Sequence, residues 1–338
     1  MAKYWYCSRD DVKQALTIKE TARMNKQIDK AISAASDMIE GMLHRKFYPE
    51  IATHYFAGDD FMVTSSGTLY LYGYDIISVT SMIINGTTVN SDDYFLDTEP
   101  MTAQEFPDSL ISIGSVDEVI ITGVFGYSSH DVLEATLVGG IDATATSLDI
   151  SDSSGIHVGH TIRIEDERLR VLEKQQLDSG ETITVNLDAK ASATLVGVND
   201  ASDFNVDEII LIDGEKMLIV DIAGNNLIVE RNYDGSVLAA HTSGTVVYLP
   251  RRLKVKRAVL GTTAATHANG SSIYRLSPPG LIKSLCIAEA MNIIGQEKSS
   301  YSRSIGSGDN LRELQGRGLN DIRKAAMTNF RKYRGGAV

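Results

Sequence analysis

The residues that decide the fold of the central region lie at 229–248 and read VERNYDGSVLAAHTSGTVVY. They return in outline 26 residues later, at 255–274, as VKRAVLGTTAATHANGSSIY. The positions matched at this offset are Val229, Arg231, Gly235, Ala239, His241, Gly244 and Tyr248, with Val255, Arg257, Gly261, Ala265, His267, Gly270 and Tyr274. A second match, at an offset of 48, joins Asp152, Ser154, Val158, Ile162, Ile164 and Glu167 to Asp200, Ser202, Val206, Ile210, Ile212 and Glu215. Self-similarity at a fixed offset indicates a duplicated structural unit.

Each repeated unit has the pattern of a few short strands joined by Gly, Asn and Asp turns. A single unit of this size cannot bury both of its faces, so we expect the copies to pack together as small β-barrels or a sandwich. We therefore predict an all-β domain over residues 131–275, with units of about 137–195 and 196–275.

The flanking regions carry helical periodicity. Ser8 predicts a cap for a short helix through Leu16, because a serine hydroxyl accepts the free N–H groups of a first helical turn. Apolar residues at steps of three and four predict longer helices at about 22–45, 281–294 and 319–333.

Residues 52–128 follow the alternation expected of strands. Asn85-Gly86 lies between two β-rich runs, which predicts a hairpin because a type I′ turn needs positive φ at both of its central residues. The overall prediction is an α+β protein, with a helical frame, a small β-hairpin region and an inserted all-β domain.

Composition excludes several classes of protein. Two cysteines, Cys7 and Cys286, are too few for a disulfide scaffold and suit a reducing compartment. No apolar run approaches the roughly 20 residues that span a bilayer, and the first residues lack the apolar region of a signal peptide. A net charge of -12 argues against a protein that neutralises nucleic-acid phosphates.

The charge is unevenly distributed along the chain. Residues 301–338 contain eight Arg and Lys against three Asp and Glu, so the acidic excess lies in the first 300 residues. A basic end on an acidic body suggests docking onto an acidic partner, although a solvated helix with cations near its C-terminus has the same pattern.

Motifs for catalysis are weak. The sequence contains no phosphate-binding loop and no nucleophile elbow, and neither cysteine has zinc-ligand spacing. We expect no enzyme activity, no cofactor and no metal. His157 and His160, with Glu165 and Asp166 nearby, are the closest approach to a metal site, and a surface loop is the alternative.

Three other groups of residues invite a functional interpretation. Asp59-Asp60 and Asp92-Asp93 are carboxylate pairs, which general acid–base chemistry can use but which also occur as turn residues. His241 and His267 recur in phase, either as ligands or as packing residues reused with the fold. Tyr4, Trp5 and Tyr6 are either an interface anchor or part of the protein's own core.

The order of motifs outside the repeats resembles the head–tail connector (adaptor) proteins of tailed bacteriophages. Three stretches carry the resemblance, which covers residues 1–130 and 276–338. They are Ser8–Leu16 with the helix Ile28–Leu43 and Arg45–Tyr48; Leu69–Leu71 with Ile76–Gly86, Asp93-Tyr94 and Val119–Tyr127; and Pro279–Met291. In the family, the strand that ends in a Gly-Tyr step leads directly into the last of these helices, whereas here residues 131–275 lie between them.

The resemblance implies a structural virion protein with a helical connector core. It would form a homo-oligomeric ring, commonly of twelve copies, at the neck of the virion, after assembly in the cytoplasm of the bacterial host. Its partners would be the portal protein, tail or neck proteins and other copies of itself. Double-stranded DNA would pass through the lumen without specific binding.

The resemblance also suggests which residues make these contacts. Carried over to the basic C-terminal segment 319–338, it predicts portal docking by Arg323, Lys324, Phe330, Arg331, Lys332, Tyr333 and Arg334. Candidates for the subunit interface are Trp5, Tyr6, Ile28, Ile32, Met38, Met42, Leu281 and Leu285, although the helix stripes could equally pack against each other within one subunit. The alternative function is a tail-associated receptor- or carbohydrate-binding virion protein built on the β repeats.

Overall fold

The computed structural model describes residues 4–16, 24–63, 68–71, 74–96, 109–110, 116–298, 304–305, 312–313 and 317–332. The α-helices in these ranges are α1 (Arg9–Leu16), α2 (Asn25–Leu43), α3 (Gly280–Lys298) and α4 (Arg317–Phe330). The strands before the repeats are β1 (Glu50–Ala57), β2 (Phe61–Val63), β3 (Thr68–Leu71), β4 (Ile76–Ile84), β5 (Thr87–Val89), β6 (Phe95–Leu96), β7 (Ser109–Leu110) and β8 (Glu118–Phe125).

The repeat region contributes ten strands, and a short pair follows α3. The ten are β9 (Asp131–Val138), β10 (Ser147–Ile150), β11 (Thr161–Ile164), β12 (Glu167–Thr182), β13 (Leu195–Gly197), β14 (Ile209–Ile212), β15 (Glu215–Ala223), β16 (Asn226–Glu230), β17 (Val246–Lys256) and β18 (Ser272–Leu276). The short pair is β19 (Ser304–Ile305) and β20 (Arg312–Glu313).

The prediction of an α+β protein with a helical connector core is wrong, because strands make up 39% and helices 25% of the structure. The predicted helices form, but residues 50–125 build two antiparallel four-stranded sheets, ordered β1-β8-β4-β5 and β2-β3-β7-β6. Helical periodicity is conspicuous in a sequence, whereas short strands become stable only through partners far away in the chain.

We call the described residues of 4–130 and 277–332 the frame. Its helices pack around one core, with α2 against α3 and α4 against both. Two local predictions are confirmed, the helix cap at Ser8 and the hairpin turn at Asn85-Gly86. Ser8 Oγ accepts the N–H of Asp11 at 3.1 Å, while Asp11 accepts the N–H of Ser8 at 2.8 Å. Asn85 and Gly86 take φ of 48° and 77° and join β4 to β5.

The strands of the repeat region close into two antiparallel barrels. In the first, which we call the split barrel, each strand pairs with the next in the closed order β9-β18-β11-β12-β17-β10. In the second, the nested barrel, the order is β17-β14-β15-β16-β13, and the segment 183–187 closes the ring between β13 and the residues that precede β17.

The residues of the nested barrel lie, in sequence, between the two chain segments that form the split barrel. The split barrel uses residues 131–171 and 252–276, and the nested barrel uses 183–249. The strands β12 and β17 pair along their length and run from one barrel into the other. The predicted consecutive units of about 137–195 and 196–275 are therefore wrong, because the offset of 48 relates the first halves of the two barrels and the offset of 26 their second halves.

The two barrel cores occupy equivalent positions. In the split barrel these are Leu148, Ile150, Ile156, Ile162, Ile164, Leu169, Val171, Leu253 and Val255. In the nested barrel they are Val196, Val198, Phe204, Ile210, Ile212, Met217, Ile219, Leu227 and Val229. Almost every member is a β-branched or aliphatic side chain, so the same inward-facing pattern fills both barrels.

Candidate functional site

A buried ion cluster lies at the same place in each barrel. In the nested barrel, Arg231 donates from Nε and Nη2 to the two carboxylate oxygens of Glu215, both at 2.8 Å. The Arg231 and Glu215 side chains are 1% and 0% exposed. The guanidinium also donates to the carbonyl oxygens of Asp188, Ala193 and Ala239, at 3.1, 3.0 and 2.7 Å. The arginine thus joins the loop before β13, which contains Asp188 and Ala193, to the segment before β17, which contains Ala239.

A histidine completes the cluster. His241 Nδ1 lies 2.8 Å from Asp213 Oδ2, and its Nε2 lies 3.1 Å from Glu215 Oε2. Glu215 also accepts the backbone N–H groups of Asn232 and Ala239. Each ring nitrogen therefore lies within hydrogen-bond distance of a different carboxylate, the exposed one of Asp213 and the buried one of Glu215.

The split barrel repeats this arrangement with equivalent residues. Arg257 donates to both oxygens of Glu167, at 2.7 and 2.6 Å, and to the carbonyl oxygens of Asp142, Ala145 and Ala265. His267 lies 3.2 Å from Glu165 and 2.9 Å from Glu167. The agreement extends to the backbone donors on the glutamate, which are Ala258 and Ala265.

Each cluster stabilises the ionised form of its buried glutamate. Burial raises the pKa of Glu215, but the hydrogen bonds from Arg231, from the Ala239 N–H and from His241 outweigh it, and the pKa falls to about 2. Glu167 follows the same balance, with a pKa of about 2. Because these buried oxygens already accept hydrogen bonds, His241 and His267 act as packing residues of an ion network, and the ligand interpretation receives no support.

His157 and His160 join the split barrel to the frame. His157 Nδ1 lies 2.9 Å from Asp10 Oδ2 on α1, and the His157 N–H donates to His160 Nδ1 at 3.1 Å. His160 is buried, and burial lowers its pKa. Glu165 contacts His267 instead, so the histidine–carboxylate group that the sequence offered as the closest approach to a metal site does not assemble. In the described part of the chain, no group of three or more His, Cys, Asp or Glu side chains is arranged so that it could hold a metal ion.

The two carboxylate pairs lie in short helical turns. Asp60 Oδ2 accepts the Ala57 N–H at 3.3 Å, and Asp93 Oδ2 accepts an amide hydrogen of Asn90 at the same distance. All four carboxylates are exposed. These contacts are those of turn residues, which was the second of the two interpretations.

A cleft of about 740 Å³ opens in the frame between the C-terminal end of α2 and strands β1 and β8. His54 and Tyr74 stack inside it with ring centroids 3.8 Å apart, and burial lowers the pKa of His54. The acidic residues of its lining are Asp37, Glu40, Glu50, Asp59, Asp60 and Asp75. Arg45 pairs with Asp75 at 2.8 Å and Lys46 with Glu50 at 2.7 Å. The acidic excess that remains favours a cationic group over a phosphate.

Three of the seven predicted portal-docking residues contact the frame itself. Arg323 forms a double hydrogen bond with the buried Glu289, and Phe330 packs edge-on against Phe47 and Tyr127. Lys332 Nζ donates to the Tyr74 carbonyl oxygen and to Asp75. The apolar stripe of α4 is covered by the core of its own subunit.

The remaining docking candidates differ in position. Lys324 is exposed and Arg331 is half-buried. Tyr333 and Arg334 lie outside the described residues. Lys324 is thus the candidate that the structure presents to solvent.

The interface candidates lie mostly inside the frame. The buried members of the set are Trp5, Tyr6, Ile28, Ile32 and Leu285. Met42 and Leu281 pack partly buried against the same core, while Met38 is 48% exposed. The aromatic N-terminal residues fold back on the protein, with Trp5 under the guanidinium of Arg170 at 4.5 Å. Tyr6 packs against Phe47 and Tyr48 in the core of the frame, so the structure agrees with the second interpretation, in which these residues belong to the protein's own core.

Sequence reasoning missed the partnership of Glu167 with Arg257 and of Glu215 with Arg231. The available signal was that Glu recurs at the offset of 48 and Arg and His recur at the offset of 26, which marks a set of residues used together.

Neither a family model, nor a curated protein, nor a solved structure matches this chain. No helix within the described ranges is long and apolar enough to cross a membrane.

Proposed function

We propose that this protein is a structural virion protein that forms a ring-shaped head–tail adaptor, docks beneath the portal and joins the capsid to the tail. Genomic DNA passes through the ring. The observation that carries the proposal is the shared core of the frame. The two terminal segments that resemble adaptors are separated by the repeat region, yet Tyr6, Ile32, Phe47, Leu285 and Ala326 pack in one cluster.

The attachment of the barrels supports the same proposal. The Tyr127 N–H donates to the Lys46 carbonyl oxygen, and the Ser277 N–H donates to the His130 carbonyl oxygen, so the chain leaves and rejoins the frame at adjacent points. An insertion of this kind enlarges the subunit without interrupting the core of the frame. The barrels are then available for contacts with tail, capsid or other neck proteins.

The charge distribution suits a conduit. A wall that bound phosphates would hold DNA through counterion release, whereas an acidic wall leaves the duplex free to move. The acidic excess of the first 300 residues motivates this assignment. A ring structure with Arg and Lys along its lumen would contradict it.

Electron microscopy of the purified protein, alone and with portal protein, tests the proposal. We expect rings, commonly of twelve copies, that cap the portal. A particle that remains monomeric or trimeric and ignores the portal would overturn it.

Two matched substitutions make the test sharper. Tyr55 on β1 is 69% exposed and lies on the frame, whereas Val237 is 80% exposed and lies on the nested barrel. We expect Tyr55→Arg to weaken ring formation, because a closed ring must bury frame surface between subunits. Val237→Arg serves as the control and should leave the ring intact.

Portal docking needs point substitutions, because deletion of α4 would remove Ala326 and Phe330 from the core. Lys324→Glu and Arg334→Glu reverse charges at two docking candidates. We expect weaker binding to the portal and a shallower dependence of binding on salt than in the wild-type protein, because less attraction remains for salt to screen. Unchanged binding in the double variant would remove the C-terminal segment from the portal contact.

A second candidate function is a tail-associated receptor- or carbohydrate-binding protein. The observation in its favour is a groove of about 700 Å³ at the junction of the two barrels, with Ser151, Asn205 and Arg251 in its lining. Glycan-array binding by a particle that fails to recognise the portal would favour this function over the adaptor.

A further inference from the structure

The two cysteines of the chain meet in the core of the frame. Cys7 Sγ lies 3.3 Å from Cys286 Sγ, although 279 positions separate them in sequence. Both thiols are free, and their residues are 3% and 0% exposed. Cys7 precedes α1 and Cys286 lies in α3, so the pair joins the two segments of the frame that flank the barrels in sequence.

The surroundings of the two sulfurs are unequal. Ser36 Oγ lies 3.6 Å from Cys286 Sγ, and the Tyr6 N–H donates to that same hydroxyl at 3.3 Å. The hydrogen bond between the thiols raises the pKa of Cys7 and lowers the pKa of Cys286. Cys7 is therefore the proton donor, and Cys286 is the sulfur with more thiolate character.

We propose that Cys7 and Cys286 are a modification site that forms a reversible intramolecular disulfide by exchange with a low-molecular-weight disulfide such as oxidised glutathione. The assignment rests on the position of the two sulfurs and does not depend on the adaptor function.

The reaction balances with glutathione disulfide as the oxidant. The Cys286 thiolate attacks one glutathione sulfur, the glutathione S–S bond breaks, and one glutathione thiolate leaves with a mixed disulfide remaining on Cys286. Cys7 loses its proton and attacks the Cys286 sulfur, and the second glutathione leaves as its thiolate. Both glutathione thiolates are protonated to thiols, so the protein loses two protons and two electrons and one glutathione disulfide becomes two glutathione thiols.

Folding supplies the driving force for the exchange. The core holds the two sulfurs in non-bonded contact at 3.3 Å, whereas in an unfolded chain a loop of 279 residues must close before they meet. The folded protein should thus oxidise at a more reducing glutathione ratio than the unfolded chain. Because the site is buried, exchange proceeds through local opening of the N-terminal segment and is slow, so equilibrium is the quantity to measure.

The test is a redox titration of the full chain in glutathione buffers, with acid quenching and mass spectrometry of the intact protein and its peptides. One series is run in native buffer and one in concentrated urea. We expect the ratio of disulfide to dithiol, at equal glutathione ratio, to be at least about tenfold higher in the native series. Equal ratios in the two series would overturn the proposal.

Cys7→Ser and Cys286→Ser are the matched controls. Each should form only a mixed disulfide with glutathione. As a second readout, the oxidised wild-type protein should unfold at a higher urea concentration than the reduced protein, and a reductant should reverse the shift. A native protein that accumulates mixed disulfides at equilibrium without an internal cross-link would also contradict the assignment.

Discussion

The split barrel and the nested barrel have the same core pattern and the same buried cluster, yet one is built from two chain segments and the other from one. Glu167, Arg257 and His267 reproduce Glu215, Arg231 and His241 in partners and nearly in distance. A barrel of this type is therefore specified by which residues face inward and which charges meet, and continuity of the chain is not required.

The barrels differ where the split barrel meets the frame. Gly159 and Asp207 are equivalent and both have positive φ, at 99° and 69°. A Cβ atom on Gly159 would lie 2.1 Å from the Trp5 ring. The neighbouring positions, His160 and Glu208, are buried with different partners. At this position the split barrel thus packs against the frame through Trp5, whereas the nested barrel meets the frame through the ion pair of Asp234 with Lys13 on α1, at 2.9 Å.

The largest expected effect is the loss of an arginine from a cluster. Arg257→Ala and Arg231→Ala each leave a buried glutamate and several carbonyl oxygens without their partner, and each should reduce the free energy of unfolding by about 3–5 kcal/mol. Chemical denaturation measures the loss. Hydrogen exchange then separates the barrels: Arg257→Ala should leave the nested barrel protected, because its chain is continuous. Loss of protection in both barrels would contradict independent folding of the nested barrel.

A smaller effect is expected from exchanging the equivalent residues at the junction. Gly159→Asp should reduce the free energy of unfolding by about 2 kcal/mol, because the new side chain meets Trp5 and has an unfavourable φ. Asp207→Gly is the matched change in the nested barrel, and we expect it to alter stability by less than about 1 kcal/mol. Tryptophan fluorescence, which reports Trp5 alone, should shift only in Gly159→Asp.

Acid should weaken both barrels in the same pH window. The pKa values of Glu167 and Glu215 are about 2, against an ordinary value of 4.5, so both groups bind protons more readily in the unfolded chain. Their contribution to stability is complete above pH 4.5 and is lost as the pH falls toward 2. The free energy of unfolding, measured by chemical denaturation at several pH values between these limits, should depend less steeply on pH in the Glu167→Gln, Glu215→Gln double variant. An unchanged slope would show that other groups carry the acid sensitivity.

The smallest effect is expected at an ion pair on the surface of the nested barrel. Lys190 and Asp188 lie 2.9 Å apart, but their side chains are 70% and 68% exposed. Water and salt screen such a pair, so Lys190→Ala should leave the melting temperature unchanged within error. A clear decrease would show that the Asp188 loop, whose carbonyl oxygen accepts from Arg231, depends on this lysine.

Much of the local structure was predictable from the sequence. The reciprocal Ser8–Asp11 cap and the Asn85-Gly86 turn are contacts between residues at most three positions apart, so their side chains and φ preferences suffice. The apolar stripes of α2 and α3 were predictable for the same reason. Their place in the core of one subunit was not, because an exposed stripe and a buried stripe have the same periodicity.

The repeats were visible in the sequence but their arrangement was not. Two offsets, 48 and 26, are what a nested copy produces, yet they can also be taken as two consecutive units. The pairing of β12 with β17 decides between them, and it joins Val171 to Val255 across the whole nested barrel. Such long-range pairs depend on which loops close, and a local pattern carries no information about that.

The sequence by itself determined the elements: the capped helix, the hairpin turn, the inward-facing aliphatic residues of the barrels and the recurring Glu, Arg and His. Only the tertiary structure decided that the residues of one barrel lie between the two chain segments of the other, that Trp5 lies at the junction of the frame and the split barrel, and that Cys7 meets Cys286. The physical reason is distance along the chain. Propensity and periodicity act over a few residues, whereas burial and ion pairing act between whatever residues the closed fold brings together.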